Sequence, residues 1–267
     1  MWYEAYKARD QQFPCNSSPR PRYDGYIMSN FRALLQAQPL LEVLELPNSS
    51  PAVAGWVEHP DLHSTPATSP LSKTPPPPKI TCSDVPNLRS LVAIPCVAAS
   101  FLTIAPKLES LSISPWDDQM SSLLLYAGKH GHQIRNLSFE LTWREFMDWD
   151  GIENVLRCFP NVETLTVATR WEKQYKDEES GKDFLGQISH KIHLLPLLRK
   201  LEVYYERNYE TEVPLGLEIP SERLVALKTS CPFLEYVIDP LGRIWAYTVM
   251  TDRECCGLQT LGRLTAP

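Results

Sequence analysis

The stretch Phe159–Thr169, FPNVETLTVAT, contains a phrase that returns along the whole chain. A proline leads, followed by any residue, an apolar residue, a charged residue, any residue and a leucine or its equivalent. The phrase stands as PLLEVLEL from 39, PNLRSLVA from 86, PKLESLSI from 106, PNVETLTV from 160 and PLLRKLEV from 196. With the apolar residue two places after the proline as a register mark, seven copies align at Leu41, Leu88, Leu108, Ile134, Val162, Leu198 and Leu234. Six carry the proline (Pro39, Pro86, Pro106, Pro160, Pro196 and Pro232), and His132 replaces it before Ile134. A charged residue follows every mark: Glu42, Arg89, Glu109, Arg135, Glu163, Arg199 and Glu235. Three places after the mark stand Leu44, Leu91, Leu111, Leu137, Leu165, Leu201 and Val237. Two further on come Leu46, Ala93, Ile113, Phe139, Val167 and Val203, until Asp239 breaks the series.

The pattern L-x-x-L-x-L is the signature of a leucine-rich repeat, in which a short strand follows each turn. Its closing L-x-L alternates with period two, so leucines face a core and the residues between them face out. Amphipathic helical patterns precede the strands at 29–38, 96–105, 120–131, 150–159, 182–195 and 221–231. Ser29, Asp150 and Ser221 are their candidate caps. A proline between helix and strand ends the helix and removes no ladder hydrogen bond. The expected fold is therefore α/β, an irregular leucine-rich-repeat horseshoe (solenoid) of about seven helix–strand units, with a parallel sheet on its concave face. Each unit has an apolar face that only stacking can bury.

The marks lie 47, 20, 26, 28, 36 and 36 residues apart, against about 20 to 29 in a regular array. The largest excess is the segment 47–82, rich in Pro, Ser and Thr and containing PPPP at 75–78, which reads as a disordered insert. Residues 1–28 read as an irregular N-terminal segment, 29–254 as the repeat domain and 255–267 as a flexible tail. A net charge of −6 gives no electrostatic support for a nucleic-acid partner. No apolar run approaches the roughly 18 residues of a membrane span, and the charged start MWYEAYKARDQQ lacks a signal-peptide core. Seven scattered cysteines are expected as reduced, buried thiols of the cytoplasm or nucleus.

The proline-led phrases PNLRSL, PKLESL and PNVETL, with the ending CPFLEYVIDPLGRIWAYTVMTDRE, resemble the leucine-rich region of fungal F-box proteins over about residues 30–254. In that family a tryptophan-containing strand closes the array. The resemblance implies a non-catalytic protein-interaction scaffold, similar to the part of a cullin-RING ubiquitin ligase that recognises its target. Residues 1–30 contain no Leu-Pro pair with a following Glu, the opening of the family's adaptor-docking module. The ligase adaptor is thus an expected partner only where such a module stands upstream.

Partner-binding candidates are the aromatic and arginine residues that gather just after the strands: Trp116, Trp143, Arg144, Trp149, Arg170, Trp171, Tyr204, Tyr205 and Arg207. Trp, Tyr and Arg dominate binding hot spots because each covers a large area around a polar handle. The target protein they would hold has no identity from sequence. No phosphate loop, G-x-S-x-G, H-E-x-x-H or C-x-x-C occurs, so no catalytic, cofactor or metal residue is assigned. The charged residue after each mark reads as a solvated collar. Two alternatives stand beside the scaffold. One is a metal-dependent enzyme using the pairs His130/His132 or His190/His193; the other is a truncated repeat remnant without a partner.

Overall fold

A computed structural model describes residues 21–46, 53, 57, 79–113, 120–142, 149–170, 188, 190–206, 221–239, 243–248 and 257–263. Every copy of the phrase folds into the same tight turn. The N–H of each mark donates to the carbonyl three places back, from Leu41 to Gln38 through to Leu234 to Cys231, at 2.9–3.3 Å. The proline is the second residue of that turn, where its fixed φ is already correct and its missing N–H is not needed. His132 takes the same place in the one copy without proline. Gly131 before it has a steric reason of its own, since a Cβ there would lie 2.2 Å from the Cys158 carbonyl oxygen.

From each turn the chain enters a strand. The described residues form five α-helices and nine strands: α1 (Pro21–Gln36), β1 (Val43–Leu46), β2 (Ser90–Ala93), α2 (Pro95–Ile104), β3 (Ser110–Ile113), α3 (Met120–His130), β4 (Asn136–Thr142), α4 (Trp149–Cys158), β5 (Thr164–Arg170), β6 (Lys200–Glu206), α5 (Ser221–Ser230), β7 (Tyr236–Ile238), β8 (Arg243–Thr248) and β9 (Gly257–Arg263). Single 3-10 turns span Cys82–Asp84, Gly131–Gln133 and Ile192–Leu194. The strands lie in chain order in one open sheet, with β1 to β7 parallel and β8 and β9 antiparallel additions.

Register follows the repeat without slippage. Leu44, Leu91, Leu111, Leu137, Leu165, Leu201 and Val237 form one line across seven strands. One backbone contact recurs at every step. The carbonyl of the charged residue after each mark accepts two N–H groups from the next copy. Glu42 O takes Arg89 N and Ser90 N, and the series ends with Arg199 O taking Glu235 N and Tyr236 N; all twelve bonds are 2.7–3.1 Å. Using both lone pairs of one oxygen locks adjacent strands in register at their N-terminal ends. Along that rim the charges alternate in sign. Arg89 pairs with Glu109 at 3.4 Å, Arg135 with Glu163 at 3.0 Å and Arg199 with Glu235 at 3.4 Å. These pairs are exposed, so each contributes at most about 1 kcal/mol and mainly disfavours a slipped register.

The two inward repeat residues of each strand from β2 (Leu91, Ala93) to β6 (Leu201, Val203), and the marks before them, are at most 1% exposed. They share one apolar core with α2, α3, α4 and α5, which cover a single side of the sheet. Helix α2 lies deepest, with Val97, Ala98, Ala99, Phe101, Leu102 and Ile104 buried and Pro95 opening its first turn. Ser100, also buried, donates to the Cys96 carbonyl at 3.0 Å. The sheet's other side carries no helix among the described residues.

Two buried carboxylates tie down the two ends. Asp84 accepts from Arg32 Nε at 3.0 Å and Gln36 Nε2 at 2.8 Å, both on α1, and from the Thr81 N–H at 2.8 Å and hydroxyl at 3.1 Å. Burial pushes its carboxyl up, but the Thr81 and Gln36 hydrogen bonds and the Arg32 charge outweigh this and hold it below the ordinary value. At the far end Asp239 occupies the place of an inward leucine. It is fully buried and accepts from Arg243 N at 2.9 Å, Arg243 Nε at 2.5 Å and Trp245 Nε1 at 3.1 Å. The break in the repeat is thus the clasp that turns the chain back into β8. Tyr247 of β8 completes the closure, its N–H on Glu235 O at 3.0 Å and its hydroxyl on Leu224 O at 2.6 Å.

Several expectations are corrected. Helix α1 starts at Pro21, not after a Ser29 cap, so the irregular segment expected over 1–28 is helical from 21 onward; proline is well accommodated in a first turn. Trp149 opens α4, which places Asp150 inside the helix. Most of the insert expected as disordered over 47–82 lies outside the described residues, but it has apolar anchors: Val53, Val57 and Ile80 are buried, and Val57 bridges Ile80. Its average composition concealed them. The flexible tail expected over 255–267 contains β9, which extends the sheet beyond seven strands. Of the four described cysteines, Cys82 is exposed, Cys96 and Cys158 are half-buried and Cys231 is buried as expected; Cys15, Cys255 and Cys256 lie outside the described residues. The Cys231 Sγ donates to Ile192 O at 3.2 Å, and burial raises its pKa to about 11.

Asp239→Leu restores the repeat pattern but removes the carboxylate to which Arg243 and Trp245 donate. The expected result is a loss of about 3 kcal/mol or more in urea unfolding, and unchanged stability would contradict the clasp. For Asp84, a folded-state pKa below the unfolded value near 3.8 means its contribution is present above that value and fades as pH falls through the folded-state value. Unfolding midpoints measured against pH should therefore fall less steeply below about pH 4 for Asp84→Asn than for the parent chain.

Candidate functional site: the open face of the sheet

Side chains alternate along a strand, so the residues between the inward leucines all rise from the uncovered side. Register assembles them into rows. The first runs Val43, Ser90, Ser110, Asn136, Thr164, Lys200, Tyr236, and the second Glu45, Val92, Ser112, Ser138, Thr166, Glu202. Over β2 to β5 the rows hold short hydroxyl and amide groups with one valine. Such groups both donate and accept, and they leave the backbone within reach of a ligand.

At β6 the surface changes character. Glu202 accepts the Thr166 hydroxyl at 2.9 Å and pairs with Lys200. Beyond it, where β4 to β6 are longer, a third row reads Glu140, Ala168, Tyr204. Ala168 is the low point between a carboxylate and a phenol ring. Tyr204 is 38% exposed and Tyr236, at the far end of the first row, is 42% exposed. Partial burial raises the Tyr204 phenol pKa, and the charge and hydrogen bond of Glu202 push it the same way. The hydroxyl is therefore a donor throughout the physiological range.

Of the sequence candidates, Tyr204 lies on this face. Tyr205 and Arg170 occupy the adjoining strand ends, in register with Thr169 and Glu206 respectively. Trp149 is the first residue of α4. Trp116, Trp143, Arg144, Trp171 and Arg207 lie outside the described residues. The sequence reading passed over Tyr236, although its place two residues after the mark Leu234 assigned it to the outward row. It also passed over Glu140, whose row exists only because β4 to β6 run past the length of the repeat phrase.

The histidine pairs sit at helix ends. His132 Nδ1 donates to Lys129 O at 3.2 Å and His193 Nδ1 to His190 O at 2.8 Å, each satisfying a terminal helical carbonyl. A carbonyl only accepts, so Nδ1 carries the proton in both rings. Among the described residues no group of three or more His, Cys, Asp or Glu is placed to hold a metal ion.

No described helix is long and apolar enough to cross a membrane. No protein-family model matches the chain, and no curated protein matches it.

Proposed function

We propose that the chain is a leucine-rich-repeat solenoid that binds another protein along the open face of its sheet. The observation that carries this reading is the face itself. A floor of Ser, Thr and Asn side chains rises at β6 and β7 to two exposed tyrosines and the Thr166–Glu202–Lys200 network. Small polar groups let an extended segment approach closely, and tyrosines supply anchoring area with little conformational entropy to lose. In this reading the sheet is the concave surface of a horseshoe. Trp143 and Trp171 join the same proposal on sequence grounds. The resemblance to fungal F-box proteins extends the proposal: the bound protein would be a target for ubiquitination when the chain works with a cullin-RING ligase.

The test is recovery of partners on the tagged full chain, with Tyr204→Ala/Tyr236→Ala beside the parent. The double variant is expected to lose at least about tenfold in affinity for the recovered protein. Its melting temperature should stay within about 2 °C, as for exposed substitutions generally. Undiminished capture would overturn the assignment of the face. Cullin-ligase subunits among the recovered proteins would support the ubiquitination role; other partners alone would remove that role and leave the scaffold.

A further inference from the structure

The open sheet has two outer strands, β1 and β9. Among the described residues nothing pairs with the outer edge of β1, the parallel one of the two. The packing registers this. Leu41, Leu44 and Leu46 are only half-buried, whereas the corresponding residues of β2 to β6 are at most 1% exposed. Leu40 beside them is 82% exposed, and Val43 and Leu34 of α1 also face solvent.

The chemistry of the missing neighbour can be read from the repeated contact. In every copy from the second onward, the charged residue after the mark and the residue following it donate both N–H groups to one carbonyl of the preceding strand. Glu42 and Val43 hold those two places at the start of β1, and among the described residues their N–H groups meet no carbonyl. The side chains give the same answer independently. Each ion pair along the rim joins an arginine of one strand to a glutamate of the next: Arg89 to Glu109, Arg135 to Glu163, Arg199 to Glu235. Glu42 is the glutamate of this series with no arginine before it. Strand β1 thus presents two unmet donors, a glutamate and incompletely covered leucines, in the arrangement that β3 presents to β2.

We infer that the outer edge of β1 is a docking site for an extended segment of a partner protein. The segment runs parallel to β1, places an arginine or lysine beside Glu42, and gives that residue's carbonyl to the Glu42 and Val43 N–H groups. Apolar residues two and four places further on cover Leu44 and Leu46. Edge strands commonly recruit partners this way, with main-chain bonds giving affinity and alternate side chains giving specificity. A second copy fits less well. Antiparallel pairing of two β1 strands about Leu44 would set Glu42 opposite Leu46 of the other copy, and neither glutamate would gain a cation. This edge is separate from the open face and does not depend on the function proposed for it.

The test uses the intact chain labelled for amide NMR and the synthetic peptide PNLRSLVA, which copies residues 86–93. The peptide should shift the Glu42 and Val43 amides and protect them from exchange. Peptide PNLESLVA should bind about fivefold more weakly, the scale of one exposed ion pair. In a Glu42→Arg variant that retains the parent's circular dichroism, the order of the two peptides should reverse. Absence of protection at millimolar peptide, or equal binding of both peptides, would overturn the proposal. Protection that appears without peptide as protein concentration rises would assign the edge to a second copy and overturn it as well.

Discussion

The fold depends on one carbonyl oxygen per copy, the one belonging to the charged residue after each mark. By accepting two N–H groups from the following copy it fixes where the next strand starts, whatever length of chain lies between. This explains how intervals as unequal as 20 and 47 residues yield strands without slippage. The helices and loops vary, while the turn, the carbonyl and the inward leucine recur. Exposed ion pairs on the same rim add little energy, but their alternating sign penalises any strand displaced by one copy.

A stack of this kind must be ended as well as propagated, and buried carboxylates end it. Asp239 substitutes a charge for a leucine and gathers Arg243 and Trp245, so the chain reverses instead of adding another parallel strand. Lys228 supports the same closure, donating to Pro232 O and Leu234 O and lying 5.4 Å from the centre of the Tyr247 ring. At the other end Asp84 holds α1 through Arg32 and Gln36, and among the described residues the outer edge of β1 has no neighbour. The two ends are therefore unlike: at one, side-chain chemistry turns the chain back into antiparallel strands, and at the other the parallel strand β1 has no outer neighbour among the described residues. Between them the outward rows form a continuous surface whose polar floor ends at Tyr204 and Tyr236.

The seven marks made the parallel part of the sheet legible, because turn, inward leucine and outward residue all scale with one spacing. Helices α2, α3 and α5 were equally plain from their apolar periodicity. What escaped depended on partners distant in sequence. Val53, Val57 and Ile80 are a few apolar residues in a segment dominated by Pro, Ser and Thr, and only the core they join shows their role. Strand β9 exists because β8 offers an edge, and β8 exists because Asp239 turns the chain. Within the candidate site, Tyr204 was legible as an aromatic residue leaving a strand, while Tyr236 was hidden inside the last and most degenerate copy. The meaning of the rim charges lay in the order of their signs, which becomes an interaction only when the strands stand side by side.

Amide hydrogen exchange on the full chain tests the shared carbonyl most directly. The account predicts slow exchange for both members of each pair, Arg89 with Ser90, Glu109 with Ser110, Arg135 with Asn136, Glu163 with Thr164, Arg199 with Lys200 and Glu235 with Tyr236. Glu42 and Val43, which meet no acceptor among the described residues, should exchange rapidly. If one member of each pair exchanged as fast as Glu42, or if Glu42 and Val43 were as protected as the rest, the carbonyl would not be the element that sets the register.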